Sequence, residues 1–332
     1  MKKIPKLLKF PRLSQFIFYA AIFYIVIMLL HDVFGLNDYI MQIINLSLVY
    51  VILTVSLNLI NGFTGQFSIG HMGFAAVGAY ISAILTTLVF KVAPKTVNGY
   101  VVFIFAMIIG GLAAALIGFL IGIPTLRLRG DYLAIVTLGF GEIIRVIINN
   151  IDYVGGPRGL LGIPKFSNFT VIFVVTVITI IIIRNIVYST YGRSLLSIRE
   201  DSIASELVGV DTTRYKVLAF VVGSFFAGVA GSLLCHLIQI AHPTQFGFVG
   251  SISILIMVYA GGMGSITGSI VAAFALTFLS EGLRIVLENF GAPIEWRMVI
   301  YAVLLIVIML FRPEGLMGGK EWKLIVPEGE KE

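Results

Sequence analysis

Residues 191–216 read YGRSLLSIREDSIASELVGVDTTRYK, a polar segment that stands between two long apolar segments. It carries too many charges to enter a lipid bilayer, and it is too short to form a domain. The apolar residues 169–188 and 215–239 lie on either side and would hold it against a membrane. The sequence therefore predicts a short helical segment that a membrane protein presents to something outside the lipid.

The composition of the chain is that of an integral membrane protein. Its 332 residues are 58% hydrophobic and 12% charged, and the mean hydropathy is +1.02. Soluble proteins carry about 25% charged residues. The net charge of +6 does not indicate nucleic acid binding, because the basic residues stand at the ends of apolar segments, where membrane topology explains them better.

Ten apolar segments are long enough to cross a bilayer, whose hydrocarbon core of about 30 Å needs about 20 helical residues. They lie at 14–30, 39–60, 73–90, 100–123, 131–150, 169–188, 215–239, 248–263, 267–288 and 296–311. The predicted fold is therefore all-α, a polytopic bundle of about ten transmembrane helices. The first segment follows a basic stretch, as a signal peptide does, but no small-residue cleavage site follows it, so we expect it to be retained.

The distribution of Lys and Arg predicts the orientation, because positive charges near span ends stay on the cytoplasmic side. With ten crossings, most of the basic residues fall on the side of the N-terminus. The exceptions, in outer loops, are Lys91, Lys95, Arg158, Lys165 and Arg297. Both termini are therefore expected in the cytoplasm, and the chain is expected to be a multi-pass protein of a prokaryotic inner or plasma membrane.

This topology divides the chain into three parts. A basic cytoplasmic N-terminus is predicted at 1–13, and a transmembrane domain at 14–316, with a cytoplasmic loop at 191–214. A cytoplasmic C-terminal tail is predicted at 317–332.

Signatures of enzyme chemistry are missing from the sequence. There is no GxxxxGK[ST] phosphate loop, HExxH zinc helix, GxSxG nucleophile turn or Cys/His cluster with metal spacing. We therefore expect no enzymatic activity, no ATP hydrolysis by this chain alone, and no metal or cofactor.

Residues 58–73, NLINGFTGQFSIGHMG, place polar side chains and several glycines beside a membrane span. Polar groups at that depth must be paired or face water. One interpretation is a broken helix at the solute pathway or its gate; the other is a tight cytoplasmic turn whose side chains cap helix ends. The pathway candidates are Asn58, Gly65, Gln66, Ser68 and His71. A second glycine-rich break, at 261–268, is explained as well by a translocation site as by close helix packing.

Two predicted spans each carry an acid and a base three residues apart, Glu142 with Arg145 and Glu281 with Arg284. At this spacing the two side chains share one helix face and can neutralise each other. A structural ion pair in the outer half of the bundle is the preferred interpretation, and handling of substrate or protons is the alternative.

The polar segment itself predicts a helix of about four turns over Ser194–Val208. Gly209 is placed to cap this helix and Asp211 to begin the next one. Apolar side chains at 195, 196, 203 and 207 fall on one side, with charged residues around the rest. The pattern alone does not separate a docking helix from an ordinary interfacial helix.

Several blocks of sequence resemble the permeases of branched-chain amino acid ABC transporters, and within them the LivM type. The resemblance is carried, in order, by residues 58–74, 126–142, 198–231, 261–268 and 312–316, which include LRLRGDYLAIVTLGFGE at 126–142 and RPEGL at 312–316. Matching blocks recur from about residue 45 to residue 316.

The resemblance implies the fold and function of one membrane subunit of a binding-protein-dependent ABC importer. Such a subunit pairs with a second homologous permease, and two cytoplasmic ATPase subunits drive the cycle. An extracytoplasmic binding protein delivers Leu, Ile or Val. The residues that the resemblance places in the loop that docks on the ATPase are Arg199, Glu200, Asp201, Ala204 and Gly209.

Other functions remain open from the sequence. Related permeases for other amino acids, amides or urea share much of this pattern. A proton-coupled secondary transporter that uses Glu142 or Glu281, and a membrane scaffold that binds a partner without transport, are alternatives from other classes.

Overall fold

The structure is a computed structural model that describes residues 11–32, 35, 37–92, 96–125, 130–289, 296–312, 314–318, 320–322 and 325–326. Within these residues the chain is almost entirely helical. The α-helices are α1 Pro11–Asp32, α2 Asp38–Asn58, α3 His71–Ile84, α4 Val97–Thr125, α5 Asp131–Asn149, α6 Phe169–Val187, α7 Thr190–Glu200, α8 Ser202–Leu207, α9 Thr212–Ile238, α10 Phe248–Gly261, α11 Ile266–Asn289 and α12 Trp296–Phe311. Two short strands, β1 Leu160–Leu161 and β2 Ile240–Ala241, pair antiparallel.

A helix lies at each of the ten predicted segments, so the prediction of an all-α polytopic fold is confirmed. Eight helices among the described residues are long and apolar enough to span a bilayer. Helices α10 and α12 are shorter, with 14 and 16 residues. At 1.5 Å per residue, α10 is only about 21 Å long, so the number of full crossings and the orientation of the termini stay predictions.

Helices α3, α4 and α9 pack closely against one another, and small residues bring their backbones together. A Cβ added to Gly78 on α3 would lie 2.0 Å from the carbonyl oxygen of Gly228 on α9. The hydroxyl of Ser232, one turn further along α9, donates to the carbonyl of Gly78. Because lipid does not press helices together, such close contacts and interhelical hydrogen bonds stabilise a membrane bundle.

The loops between helices gather at two ends of the bundle. At one end, the pairing of β1 with β2 joins the α5–α6 loop to the segment after α9. At the other end, the α6–α9 loop meets the segment between α2 and α3 and the α10–α11 turn. We call these the ribbon end and the α7–α8 end. The α2–α3, α6–α9 and α10–α11 connections, which were predicted on one side of the membrane, therefore lie at one end of the bundle.

Helix α2 ends in a π-helical turn, Leu59–Phe63, and α3 begins only at His71. Between them, residues 64–70 form an irregular segment that is mostly buried. This segment, with the π-helical turn before it, is called the first break. The second break is the turn at 262–265, between α10 and α11. Irregular backbone inside a membrane protein is tolerated where protein surrounds it or water fills a cavity.

Candidate coupling and translocation site

The loop between α6 and α9 folds as two short helices. Asp201 separates α7 from α8 with an extended backbone, φ −153° and ψ 110°. Its carboxylate accepts hydrogen bonds from the backbone N–H groups of Ile203 and Ala204, at 2.8 and 3.0 Å. The prediction of one continuous helix over Ser194–Val208 is therefore wrong, because the capping preference of the aspartate interrupts the helix.

The end of this loop has the two capping residues that the sequence predicted. Gly209 has φ +88°, and its N–H donates to the carbonyl of Glu206, so that the chain turns sharply at the end of α8. Asp211 then accepts from the backbone N–H of Arg214 and caps α9. Both predicted capping positions are confirmed.

Helix α8 and the residue that follows it carry exposed apolar side chains. Ile203 is 56% exposed, Leu207 83% and Val208 79%. By contrast, Leu195 on α7 is completely buried, so the apolar residues of the segment do not form the single face that the pattern predicted. We call Ile203, Leu207 and Val208 the α8 apolar patch; Ala204, on the same helix, is also exposed.

Arg199, on the last turn of α7, joins the loop to the first break. Its guanidinium Nη1 donates to the carbonyl oxygen of Gly62 at 2.9 Å, and Nη2 lies 3.4 Å from the carboxylate of Glu200. The Arg199 stem also passes close to Gly65, where a Cβ would lie 2.9 Å from Cγ of the arginine. The lack of a side chain at Gly65 and at Gly264, where a Cβ would lie 2.6 Å from Nη1, therefore leaves room for Arg199.

The two breaks contact each other through Asn58. Its carboxamide Nδ2 donates to the carbonyl of Ser265 and to the hydroxyl of Ser269, both at 2.8 Å. Its Oδ1 accepts from the N–H of Gly264 at 2.9 Å. A Cβ at Gly62 would lie only 2.4 Å from the nitrogen of Gly264. The breaks thus form one junction, to which Arg199 attaches the α7–α8 loop.

Three further predicted pathway residues are buried: Gln66 and Ser68 lie in the first break, and His71 begins α3. Gln66, Ser68 and His71 expose 5%, 1% and 0% of their surface. His71 Nε2 lies 2.8 Å from the hydroxyl of Ser56, while its Nδ1 has no partner among the described residues. The side-chain hydroxyl of Ser68 and both polar atoms of the Gln66 carboxamide also lack a described partner.

These unsatisfied groups are unusual, because a buried polar atom without a hydrogen bond is destabilising by about 1–3 kcal/mol. They occur on a segment that Asn61 holds in place, since its carboxamide makes two hydrogen bonds to the backbone of Ser68. Water or a solute would satisfy them. This part of the bundle therefore holds several buried polar atoms without a described partner close together in sequence.

The two predicted ion pairs differ in the distance between their charged atoms. Arg145 Nε lies 2.6 Å from Glu142, and the second oxygen of Glu142 accepts from the backbone N–H of Phe248 at the start of α10. Arg284 lies 3.8 Å from Glu281 and closer, at 3.1 Å, to Glu288. Glu281 accepts from the hydroxyl of Tyr39. Both acids therefore have partners in the structure, while their roles stay predictions.

The C-terminal segment forms a strap that the sequence did not predict. The backbone N–H groups of Leu316 and Met317 donate to carbonyls at the end of α10. Further along, the carbonyl of Ile325 accepts from Nε of Arg184 on α6, and the Ile325 side chain is completely buried. The described residues between 314 and 326 therefore hold α10 and α6 together at the α7–α8 end. The other residues of the predicted tail at 317–332, like most of the predicted N-terminus at 1–13, lie outside the described residues.

Within the strap, Glu321 caps α11. Its carboxylate accepts from the backbone N–H groups of Ile266 and Thr267, at 2.5 and 3.0 Å, and from the Thr267 hydroxyl. Burial raises the pKa of the Glu321 carboxyl, although these donors act in the opposite direction. The cap comes from 54 residues away in sequence, so no local capping pattern indicates it.

Comparison with known proteins identifies the family. The family described as branched-chain amino acid transport system permease component matches residues 39–309, a range that includes both breaks and the whole α6–α9 loop. The chain belongs to this family. It is accordingly a multi-pass membrane permease component of a transport system, and the recognition from sequence is confirmed.

Individual relatives agree with this assignment. The permease is 36% identical to the high-affinity branched-chain amino acid transport system permease protein LivM of Escherichia coli, over 83% of this chain and 69% of the relative. It is 30% identical to the LivH permease protein of the same organism, over 46% and 47%. BraD of Pseudomonas aeruginosa is 25% identical, over 85% and 97%. No solved structure matches. The permease thus resembles two different permease proteins that carry one transport-system name in E. coli.

The permease family explains why the sequence lacks catalytic motifs, since its members are transport components. No group of three or more His, Cys, Asp or Glu side chains that could hold a metal occurs in the part of the chain that the structure describes.

Proposed function

We propose that this permease is one membrane subunit of an ATP-driven, binding-protein-dependent importer of branched-chain amino acids. A second homologous permease completes the membrane pathway, two cytoplasmic ATPase subunits drive the cycle, and an extracytoplasmic binding protein delivers the solute. Family membership and the names of the relatives support the solute class of Leu, Ile and Val.

One observation carries the proposal: Arg199 attaches the loop that presents the α8 apolar patch to the first break, and Asn58 joins that break to the second. Exposed Leu207 and Val208 are unfavourable on a helix in water, and burial in a groove of an ATPase would stabilise them by about 25 cal/mol per Å² of apolar surface. Movement of the patch is carried to Gly62 by the hydrogen bond from Arg199.

The junction then spreads this movement to the second half of the bundle. Asn58 connects the first break to Gly264, Ser265 and Ser269 with three hydrogen bonds. A displacement of the α7–α8 loop would therefore shift α2 and α11 together, as expected for a rigid-body transition between inward and outward access. The buried polar groups of Gln66 and Ser68 lie on the first break, that of His71 lies at the start of α3, and all three form part of the proposed solute pathway.

Reconstitution tests the transport class. In proteoliposomes that hold the permease, its homologous partner and the ATPases, leucine uptake should require both ATP and the binding protein. The permease alone should take up no leucine when only a pH gradient is applied. In the proposed mechanism ATP drives transport, whereas a proton gradient drives a secondary transporter. Uptake under the gradient alone would contradict it. Competition by isoleucine and valine, but not by amides or urea, is expected for the proposed solute class.

Labelling tests the orientation of the α7–α8 loop. An impermeant thiol reagent should modify Ser202→Cys in inside-out vesicles and not in intact cells. Tyr153→Cys is the matched control at the ribbon end, where Tyr153 is 67% exposed, and it should show the opposite pattern. The native thiol, Cys235, is buried and contributes little background. Labelling of Ser202→Cys in intact cells would contradict docking on a cytoplasmic ATPase.

A further inference from the structure

A groove of about 550 Å³ lies between α1 and the rest of the bundle. Side chains from α1, α2, α6 and α11 line it, together with Trp322 of the strap, so the groove reaches the α7–α8 end. Apart from Thr176, the lining residues are alanine, aliphatic or aromatic, and the Thr176 hydroxyl already donates to the carbonyl of Ile172. Such a wall offers no partner to a polar solute, so the groove suits an apolar ligand.

Helix α1 packs loosely against the bundle. No residue from Ser14 to Asp32 is buried. The half of α1 towards the ribbon end is attached by side chains, since Phe23 stacks on Phe173 of α6 with ring centroids 6.1 Å apart. The hydroxyl of Tyr24 also lies 3.0 Å from that of Thr170, at the start of α6. The groove runs beside the other half of α1 and separates it from the bundle.

The groove is open along the surface of the bundle that faces the membrane. Tyr19, Phe23 and Ala275 line it and are exposed. On α1 the lining extends from Phe16 to Phe23, which is about 10 Å at 1.5 Å per residue. One leaflet contributes about 15 Å to the hydrocarbon core of a bilayer. The groove therefore has the length and the apolar wall that suit one acyl chain lying along α1.

Basic residues accompany the α7–α8 end of the groove. Lys320 is exposed two positions before Trp322, and the Ser265 hydroxyl donates to its carbonyl and so fixes its backbone. In the sequence, basic residues also stand immediately before α1 or in its first turn: Lys2, Lys3, Lys6, Lys9 and Arg12. Such clusters on the cytoplasmic side of a membrane helix are typical of sites for anionic lipid headgroups, and this N-terminus is predicted on that side.

Charge matters here because lipid chains are as apolar as the groove. Burial of an acyl chain alone therefore gives little preference for the groove over the bilayer. Close packing against the aromatic wall and attraction between the headgroup and Lys320 would supply the preference.

We propose that the groove binds one acyl chain of an anionic phospholipid, whose headgroup lies beside Lys320 at the α7–α8 end. The bound lipid contacts α1, α6, α11 and the strap together, and so holds the first half of α1 on the bundle. Helix α1 lies outside residues 39–309, which match the family. The inference depends neither on the proposed solute nor on the proposed ATPase.

Fluorescence of Trp322 tests the site, because bromine quenches tryptophan only at short range. The permease is purified in detergent with the subunits that accompany it and is washed to remove lipid. The signal of Trp322 is the difference between the wild type and Trp322→Phe, which keeps Trp296, the other tryptophan of this chain. Phosphatidylglycerol with brominated chains should quench Trp322 saturably, and brominated phosphatidylcholine should do so more weakly. Absence of saturable quenching, or equal quenching by both lipids, would overturn the proposal.

Substitutions locate the acyl chain. Ala20→Phe places a ring in the groove and should remove the saturable quenching of Trp322. Ala21→Phe is the matched control, because Ala21 is the next residue of α1, is exposed and does not line the groove. Ala275→Phe fills the groove from α11 and covers the case in which Ala20→Phe fails to fold. Saturable quenching that persists in either groove variant would overturn the proposal.

A charge substitution locates the headgroup. Lys320→Gln should weaken binding of brominated phosphatidylglycerol about fivefold, the effect of one basic residue near an anionic lipid surface. It should leave binding of brominated phosphatidylcholine unchanged. Lys91→Gln is the control, because Lys91 is exposed and lies near Ile163, which follows β1 at the ribbon end. Equal phosphatidylglycerol affinity in the wild type and Lys320→Gln would overturn the proposal.

Discussion

The guanidinium of Arg199 donates a hydrogen bond of 2.9 Å to the carbonyl oxygen of Gly62, and this bond joins the α7–α8 loop to the first break. The two residues are 137 positions apart in sequence. A carbonyl in a π-helical turn is available for such a bond because the regular helical pattern ends there. The loop that carries the exposed α8 apolar patch is therefore physically connected to the interior of the bundle.

Arg199→Ala should uncouple ATP hydrolysis from transport. A hydrogen bond to a charged group contributes about 1.5–3 kcal/mol, so we expect leucine uptake per ATP hydrolysed to fall at least about tenfold. Arg193→Ala, an exposed position on the same helix, is the control and should behave like the wild type. The measurement is uptake and hydrolysis in the same proteoliposomes. Normal coupling in Arg199→Ala would remove this residue from the proposed connection.

Leu207→Ser should weaken attachment of the ATPase. The Leu207 side chain is 83% exposed, so its replacement affects the folding of this chain little and acts on the partner surface. Burial of a leucine contributes about 1.5–3 kcal/mol, which predicts a roughly 10- to 100-fold loss of affinity in a pull-down or sedimentation assay. Leu161→Ser, 62% exposed at the ribbon end, is the control. Equal retention of the ATPase by both variants would contradict docking at α8.

The sequence was sufficient to predict the helices and several of their ends. Long apolar runs determine where helices form in a membrane, because every backbone group must find a partner within its own segment. Gly209 and Asp211 were predicted as caps from residue type alone, and the structure agrees. Asp201 has the same capping preference, but the prediction of one helix over Ser194–Val208 did not take it into account.

The sequence pattern could not predict the junction or the strap. Asn58 was selected as a pathway residue, yet its partners lie more than 200 positions away. Glu321 was assigned to the predicted C-terminal tail at 317–332. Hydrogen bonds between distant segments leave no periodic signal in the sequence, and the identity of each partner depends on how the helices pack.

Asn58→Leu should destabilise the junction. The substitution removes three hydrogen bonds from a fully buried position, and at about 0.5–1.5 kcal/mol each the expected loss is about 1.5–4.5 kcal/mol. Asn45→Leu is the matched control on the same helix, because Asn45 is also buried but its Oδ1 has no described partner. Thermal unfolding of the purified variants should place Asn58→Leu clearly below Asn45→Leu, and the reverse order would contradict the junction.

Glu321→Gln should remove the contribution of this carboxyl to the pH dependence of the protein's stability. Burial raises the pKa of the Glu321 carboxyl in the folded state, so folding favours its neutral form. The stabilising contribution is therefore complete below the ordinary glutamate pKa and is lost as the pH rises through the raised value. Glutamine is neutral throughout. Between about pH 4 and pH 8, the melting temperature of the wild type minus that of Glu321→Gln should fall as the pH rises. A difference that stays constant would show that this carboxyl is not titrating, and a difference that grows with pH would show that the donors from Ile266 and Thr267 outweigh burial.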